Sequence, residues 1–460
     1  MKKKIDNNPA HDRVLTKLKE NGAVIAAHMM GSGKTVLAWR AADEVATPKG
    51  KTLMVVPASL VSNMENAKEE FGFKSKPIIL SYEKAQKLAP ELAKVNWDLV
   101  AFDEAHRLRN TQTDRVENMR SVIAKAKNVL LLTGTPDYNN PEDIKNLISF
   151  ATKGKVSPEI ALEKREIVPS VYDRIFKGSK PTTVEELHIS PEAKKEVEAF
   201  VHFYDPATSD KAQHFPEVLE SKVIVPMDAG QESLYKYFER QLPASIRHQV
   251  KNNLPLLKQD AAKFSVFANS FRQLSNGVQG FSPDPEKAPI SPKIQVAVER
   301  LTQRAKEEPK FRAVVYSNYL TSGIEPYKKE LAKTGVKAVE VTGGMSKAEK
   351  DAAVKAYNTN KAKVMLISSS GGEGLDLKGT RLVQVLEPHF NASKIKQVIG
   401  RGSRFKSHSH LPKEDRNVIV EHYLSRKPST RDPAIDEYLF NMSLEKHEHG
   451  KKVLKYADKE

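Results

Sequence analysis

The sequence predicts an α/β protein in which two parallel-sheet lobes flank a mainly helical insertion. Three observations carry this. Short apolar runs alternate with helical spacing over residues 23–150, the same alternation returns over residues 311–424, and few strand-like runs occur between them. The expected divisions are 1–155 for the first lobe, 156–290 for the insertion, 291–430 for the second lobe and 431–460 for a helical tail.

In the first lobe AVIAA, TLMVV, LVAF and VLLL read as strands, while Leu37, Ala38, Ala41, Ala42 and Val45 recur at helical spacing. Residues 151–290 turn to Lys, Glu, Phe and Tyr with proline punctuation, ending in the linker-like FSPDPEKAPISPK. Ile294, Ala297, Val298 and Leu301 then share a helix face that leads into the second lobe. Its strands are RAVVYS, KAVEVT, KVMLISS, LVQVLE and NVIVEHY. The tail after Pro433, ending EKHEHGKKVLKYADKE, reads as a helix with a solvated charged face.

Composition narrows the function. The chain has 460 residues with no cysteine, which removes thiol catalysis, disulfides and thiolate metal sites and fits a reducing, cytoplasmic setting. No segment approaches the run of about 18 apolar residues that a membrane span requires, and polar residues follow the basic start where a signal peptide would turn apolar. An excess of 74 Lys and Arg over 58 Asp and Glu leaves a net charge of +16, a field that favours a polyanion such as nucleic acid.

The strand AVIAA runs directly into His28-Met29-Met30-Gly31-Ser32-Gly33-Lys34-Thr35 and then into a helix, the setting of a phosphate-binding loop. Backbone N–H groups of Gly31 to Lys34 can wrap phosphates at a helix N-terminus, Lys34 can pair with the β- and γ-phosphates, and the Thr35 hydroxyl suits Mg²⁺. His28 stands where such loops usually carry their first glycine. Downstream, WDLVAFDEAH sets Asp103 and Glu104 at the C-terminal end of a strand. Asp103 can hold Mg²⁺, and Glu104 can orient and deprotonate the attacking water. In the second lobe QVIGRGSR places Arg401 and Arg404 three apart, on one face of a helix turn, where they can stabilise charge on a transferring phosphoryl group. His408 and His410 lack further ligands for a metal and read as structural. An unrelated phosphate-loop kinase does not account for the second lobe.

Together these motifs resemble helicase superfamily 2, specifically its Swi/Snf-like branch. HMMGSGKT, VVPASLV, SYE, DEAHRLRN and TGTPDYNNPEDIKNLISF stand in the family's order in the first lobe. VVYSNY, VTGGMSKAEK, SSSGGEGLDL and QVIGRGSR do so in the second. FPEVLESKVIVPMDAGQESLYKYF and NSFRQLSNG resemble segments that bracket the branch's helical protrusions. RFKSHSHLPKEDRNVIVEHYL and AIDEYLFNMSLEKHE are more similar to the phage and large DNA virus members than to chromatin remodelers.

The resemblance implies two RecA-like lobes closing on ATP·Mg²⁺ and nucleic acid. Its ATP-site residues are Met30, Gly31, Ser32, Gly33, Lys34, Thr35, Gly374, Asp376 and Gln397, with Thr35 and Asp103 toward the metal and Lys34, Asp103, Glu104, Arg401 and Arg404 in catalysis. It implies coupling through His106, Thr133 and Thr135, and nucleic-acid contacts from Ser59, Ser81 and Ser368. The adenine-reading glutamine of many relatives is not evident around His11 to Leu15. The expected activity is ATP-dependent translocation on duplex or branched DNA in viral or phage replication, recombination or repair, with the proteins of those processes as partners. Two alternatives stay open here: an ATPase acting on RNA polymerase complexes, and a nucleic-acid-binding scaffold with a vestigial ATPase.

Overall fold

The computed structural model describes residues 8–46, 50–134, 140–167, 182–209, 212–256, 260–369, 375–389 and 392–459. Gly374 and Thr135 lie outside them. The chain divides into two compact units. The first draws on residues 1–163, 185–210 and 445–460, the second on 164–184 and 211–444.

In the first unit the strands are β1 (Ala23–His28), β2 (Thr52–Val56), β3 (Ile78–Ser81), β4 (Leu99–Asp103) and β5 (Asn128–Thr133). The strands β6 (Ile160–Ile167) and β7 (Thr182–Ile189) form a two-stranded sheet of their own, and β8 (Val201–Tyr204) returns to the first. Among the described residues the sheet order is β3-β2-β4-β5-β1-β8, with every pairing parallel. Parallel strands need crossovers that cover both faces, so their inner members are apolar throughout. Ile25, Ala27, Val100, Phe102 and Leu131 face one core, whereas Val24, Ala26, Met54, Ala101 and Leu130 face another. Full burial of each Val, Leu, Ile, Phe or Met side chain among them contributes about 1.5–3 kcal/mol.

The second unit repeats the design. It contains β9 (Glu217–Pro226), β10 (Ala313–Ser317), β11 (Ala338–Val341), β12 (Val364–Ser368), β13 (Leu382–Val385) and β14 (Asn417–Arg426). Their order is β11-β12-β10-β13-β14-β9, again all parallel. The helix Pro292–Glu307 packs Ile294, Ala297, Val298 and Leu301 on this sheet, as its periodicity predicts. Its start is capped by the Ser291 side chain, with Pro292 at the first helical position.

Two expectations need correction. The stretch 156–290 is not a separate helical body, because β8 extends the first sheet and β9 the second. β8 is four residues long and follows the helix Pro191–Phe200 without a break, so its apolar residues read as a further helical turn. β9 is an edge strand, mostly exposed, and lacks the apolar run by which a central strand is recognised. The tail is not simply solvated either. The helix Ile435–Leu454 leads to Val453, Leu454 and Ala457, which are buried in the first unit's core.

Candidate ATP site and nucleic-acid interface

The parallel register brings the first unit's functional residues to one end of one sheet. Ala27 of β1 pairs with Thr133 of β5, and Leu132 of β5 pairs with Asp103 of β4. The loops leaving β1, β4 and β5 therefore open on the carboxyl edge, where ligands bind in open α/β sheets.

The phosphate loop turns through Gly31 and Gly33, with φ of 82° and 84°, values that side-chain-bearing residues avoid. Gly33 precedes the helix Lys34–Glu44, whose first N–H groups face the loop without a side-chain cap. Lys34 donates to the backbone carbonyls of His28 at 2.8 Å and Met29 at 3.4 Å. It is thus held over the loop. Ser32 is buried and Met30 and Thr35 half-buried. His28, in place of a glycine, needs no left-handed backbone: it ends β1 as a fully buried strand residue.

Asp103 and Glu104 leave β4 in a strained turn. Glu104 has φ 51° and ψ 48°, a left-handed conformation uncommon outside glycine, asparagine and aspartate, and its N–H donates to Asp103 Oδ1 at 2.9 Å. Burial, with the neighbouring Glu104 charge, pushes the Asp103 carboxyl up to about 7, while Lys34 opposes the shift. Two crowded carboxyls near Lys34 supply hard oxygen donors of the kind that suit Mg²⁺. His106 Nδ1 lies 3.3 Å from Glu104 Oε2. The turn is locked from behind: Arg109 donates to the His106 carbonyl at 2.7 Å and lies 3.8 Å from Asp143, and Asn146 donates to the Arg109 carbonyl at 3.0 Å. Both Asp143 and Asn146 lie on the helix Glu142–Ala151, part of the motif that carried the resemblance.

Residues to which the sequence assigned no role also support this half. Tyr82, fully buried, donates its hydroxyl to the Asp103 carbonyl at 2.8 Å, with the Arg107 and Arg115 guanidinium groups over its ring. The His11 ring and Asn8 amide reach the Ser32 carbonyl at 2.9 and 3.4 Å. Tyr82 stands in the SYE motif, but its partner, like those of His11 and Asn8, has no sequence signal, since local pattern does not show which carbonyl a distant side chain meets.

In the second unit Gln397 and Arg401 lie on the helix Ala392–Gly402, both half-buried, and Arg404 follows beyond its end. This corrects the expected single helix turn. The helix ends at Gly402, so the two arginines do not share a continuous helix; Gly402 sits where a Cβ would come within 2.9–3.0 Å of the Thr380 side chain, and the Ser403 hydroxyl donates to the Ile399 carbonyl. Arg404 lies 3.7 Å from the exposed Asp376 carboxylate, and burial lowers its pKa against that charge. His408 and His410 are structural: His408 contacts the Thr380 carbonyl and the Ser407 hydroxyl at 2.8 Å each, and His410 contacts Arg312 at 3.0 Å. Among the described residues no group of three or more His, Cys, Asp or Glu could hold a metal ion.

Of the three serines expected at nucleic acid, Ser59 is exposed. Ser81 is buried, its hydroxyl accepting from Lys84 N at 3.2 Å as a helix cap, and Ser368 is buried at the end of β12. Contact through these two hydroxyls would require local opening. Thr133 is fully buried on β5.

A glycine-turned phosphate loop, an acidic pair at the same sheet edge and a second α/β unit bearing paired arginines define a nucleotide-hydrolysing motor class. Residues 65–264 match the SNF2-related domain and residues 293–406 the helicase conserved C-terminal domain. The chain belongs to the SWI2/SNF2-type helicases, and is a nucleic-acid-dependent ATPase of that family. A protein of Acanthamoeba polyphaga mimivirus named as an ATP-dependent RNA helicase is 29% identical over 94% of this chain and 92% of its own length. The ATP-dependent helicase YqhH of Bacillus subtilis is 23% identical, over 96% of this chain and 78% of its own. The DNA repair and recombination protein RAD54-like of Homo sapiens is 24% identical, over 82% and 57%. No helix among the described residues is long and apolar enough to cross a membrane.

Proposed function

We propose that this chain is an ATP-driven translocase on double-stranded or branched DNA, acting in viral or phage replication, recombination or repair. The observation that carries the motor reading is the meeting of the Lys34 loop and the Asp103–Glu104 pair on one sheet edge, in a chain that also bears Arg401 and Arg404. The DNA preference draws support from the net charge of +16 and from the DNA repair relative.

In this reading Met30 to Lys34 cradle the phosphates and Lys34 leaves the His28 and Met29 carbonyls to pair with them. Thr35 and Asp103 would hold Mg²⁺, which neutralises phosphate charge when bound. Glu104 orients and deprotonates the attacking water, with its strained backbone keeping the carboxylate forward of the strand. Arg401 and Arg404 stabilise charge on the transferring phosphoryl group, and Gly374, Asp376 and Gln397 complete the second unit's share. His106, Thr133 and Thr135 relay the state of the site toward nucleic acid, which Ser59, Ser81, Ser368 and neighbouring amides hold by its phosphates. Such contacts make binding sequence-tolerant and steeply salt-dependent.

The mimivirus relative's name favours RNA as a second reading. Steady-state ATP hydrolysis with no polymer, single-stranded DNA, duplex DNA, branched DNA and RNA, with Glu104→Gln as the blank, separates the two. Duplex or branched DNA is expected to stimulate most; RNA-only stimulation would replace the DNA reading. Hydrolysis that ignores every polymer and rises with stalled transcription complexes would move the proposal to RNA polymerase.

A further inference from the structure

The start of the phosphate loop is tied to a strand that lies far away in sequence. His28, the last residue of β1, places its Nε2 2.9 Å from Nδ1 of His202 on β8, and both rings are fully buried. Ala26 pairs with His202 and His28 with Tyr204, so these side chains share one face of the sheet. The backbone ladder continues one residue past the strand, with Met29 N donating to the Tyr204 carbonyl at 2.9 Å. The His11 ring stacks on His28 with centroids 6.0 Å apart while its Nε2 meets the Ser32 carbonyl at 2.9 Å. The loop is therefore anchored at its start through β8 and at its far side through the helix Pro9–Asn21.

A buried imidazole pair is a costly way to fill space. His28 Nδ1 and His202 Nε2 have no hydrogen-bond partner among the described residues, a loss that two apolar side chains would avoid. What the pair offers in return is one directional bond at the residue whose carbonyl holds Lys34. We propose that His28 and His202 are a positioning pair that sets nucleotide affinity by fixing the start of the phosphate loop to β8. The inference rests on the nucleotide-site reading above.

Two further facts support it. Burial lowers both histidines, His28 well below its ordinary value and His202 to about 4, so the pair is neutral near pH 7 and adds no charge beside Lys34. β8 is also braced from its outer side. Phe203 N donates to the Asp458 carbonyl at 2.8 Å, Asp458 N donates to the Val201 carbonyl at 3.0 Å, and the Asp458 carboxylate pairs with Arg13 and Lys17 at 3.0 and 3.2 Å. Arg13 and Lys17 lie on the helix that carries His11. A movable edge strand would fix nothing; this one is clamped.

The test uses atom position. An asparagine at 202 presents its amide where Nδ1 stood, whereas a glutamine presents it nearer Nε2, and both are polar and of similar bulk. Full-length His202→Asn and His202→Gln are compared with the parent for binding of a fluorescent ADP with Mg²⁺, for KM(ATP) and kcat with the stimulating polymer, and for Tm. His202→Gln should weaken ADP binding and raise KM roughly three- to tenfold, the worth of one hydrogen bond, with kcat within about twofold. His202→Asn should stay within about twofold of the parent in ADP affinity, KM and kcat. Equal effects of the two variants, or a fall in kcat without a change in affinity, would overturn the proposal. Should either variant fail to fold, His28→Gln, which retains an amide at the Nε2 position, against His28→Asn repeats the comparison from the other ring. Failure of the parent itself to bind the probe would overturn the nucleotide-site reading, a result distinguishable from a parent that binds with variants that do not differ.

Discussion

The two units share an architecture but hold their charges differently. In the first, Lys34 is fastened to two carbonyls, Asp103 is buried under Tyr82, and Glu104 is strained forward by a turn that Arg109, Asp143 and Asn146 lock. In the second, Arg404 stands beyond a helix end, 3.7 Å from an exposed carboxylate. The difference matches the tasks proposed for them. Groups that bind nucleotide in the ground state gain from rigid placement, whereas arginines needed only as charge develops act without contributing to ground-state binding.

The largest expected effect lies in the first unit. Glu104→Gln should lower kcat by about 10³-fold while leaving ATP binding within a few-fold, because the amide cannot take the water's proton. Loss of binding in parallel with hydrolysis would show Glu104 to be a scaffold of the site instead. Next, Arg404→Ala should lower kcat by about 10²–10³-fold with little change in ADP affinity. An affinity loss as large as that of Lys34→Ala would erase the contrast between the units. Tyr82→Phe, which removes one hydrogen bond to the Asp103 carbonyl, should cost about 1 kcal/mol of stability and reduce kcat several-fold. A wild-type kcat in that variant would show the turn to be held by its other contacts.

The smallest effect is on pH and sharpens a similarity. His202 in the first unit and His408 in the second both have pKa values lowered by burial to about 4, against an ordinary value of 6.5. Between these values the unfolded chain binds more protons than the folded one, so stability is full above about 6.5 and falls as pH drops toward about 4. Thermal melts at pH 7.5, 6 and 5 should show Tm decreasing throughout that window in both units. A flat profile would mean that these rings do not pay the burial cost described.

Much of this was legible in the residues. β1, β2, β4, β5 and the four central strands of the second unit, β10, β12, β13 and β14, were visible because both faces of a parallel strand are apolar, and Gly31, Gly33, Lys34, Asp103 and Glu104 declared themselves by their place after such strands. β3 was not identified as a strand: its IILS is short and sits at an edge with only its last residue buried. The helix end between Arg401 and Arg404 was hidden because spacing assumes a continuous helix, whereas this one stops at Gly402.

The sequence by itself determined the class of chemistry: a turn that only glycine permits, a lysine and threonine at a helix start, acids at a strand end and a second α/β array with its arginines. Those are local rules, written in neighbouring residues. Only the tertiary structure decided that β8 joins the first sheet and β9 the second, that the residues around Asp458 brace the first, and that the ring of His28, which stands in place of a glycine on extended backbone, meets His202, 174 residues away. Such pairings are set by which buried surfaces and unsatisfied polar atoms meet when the chain collapses, and a linear pattern carries no record of them.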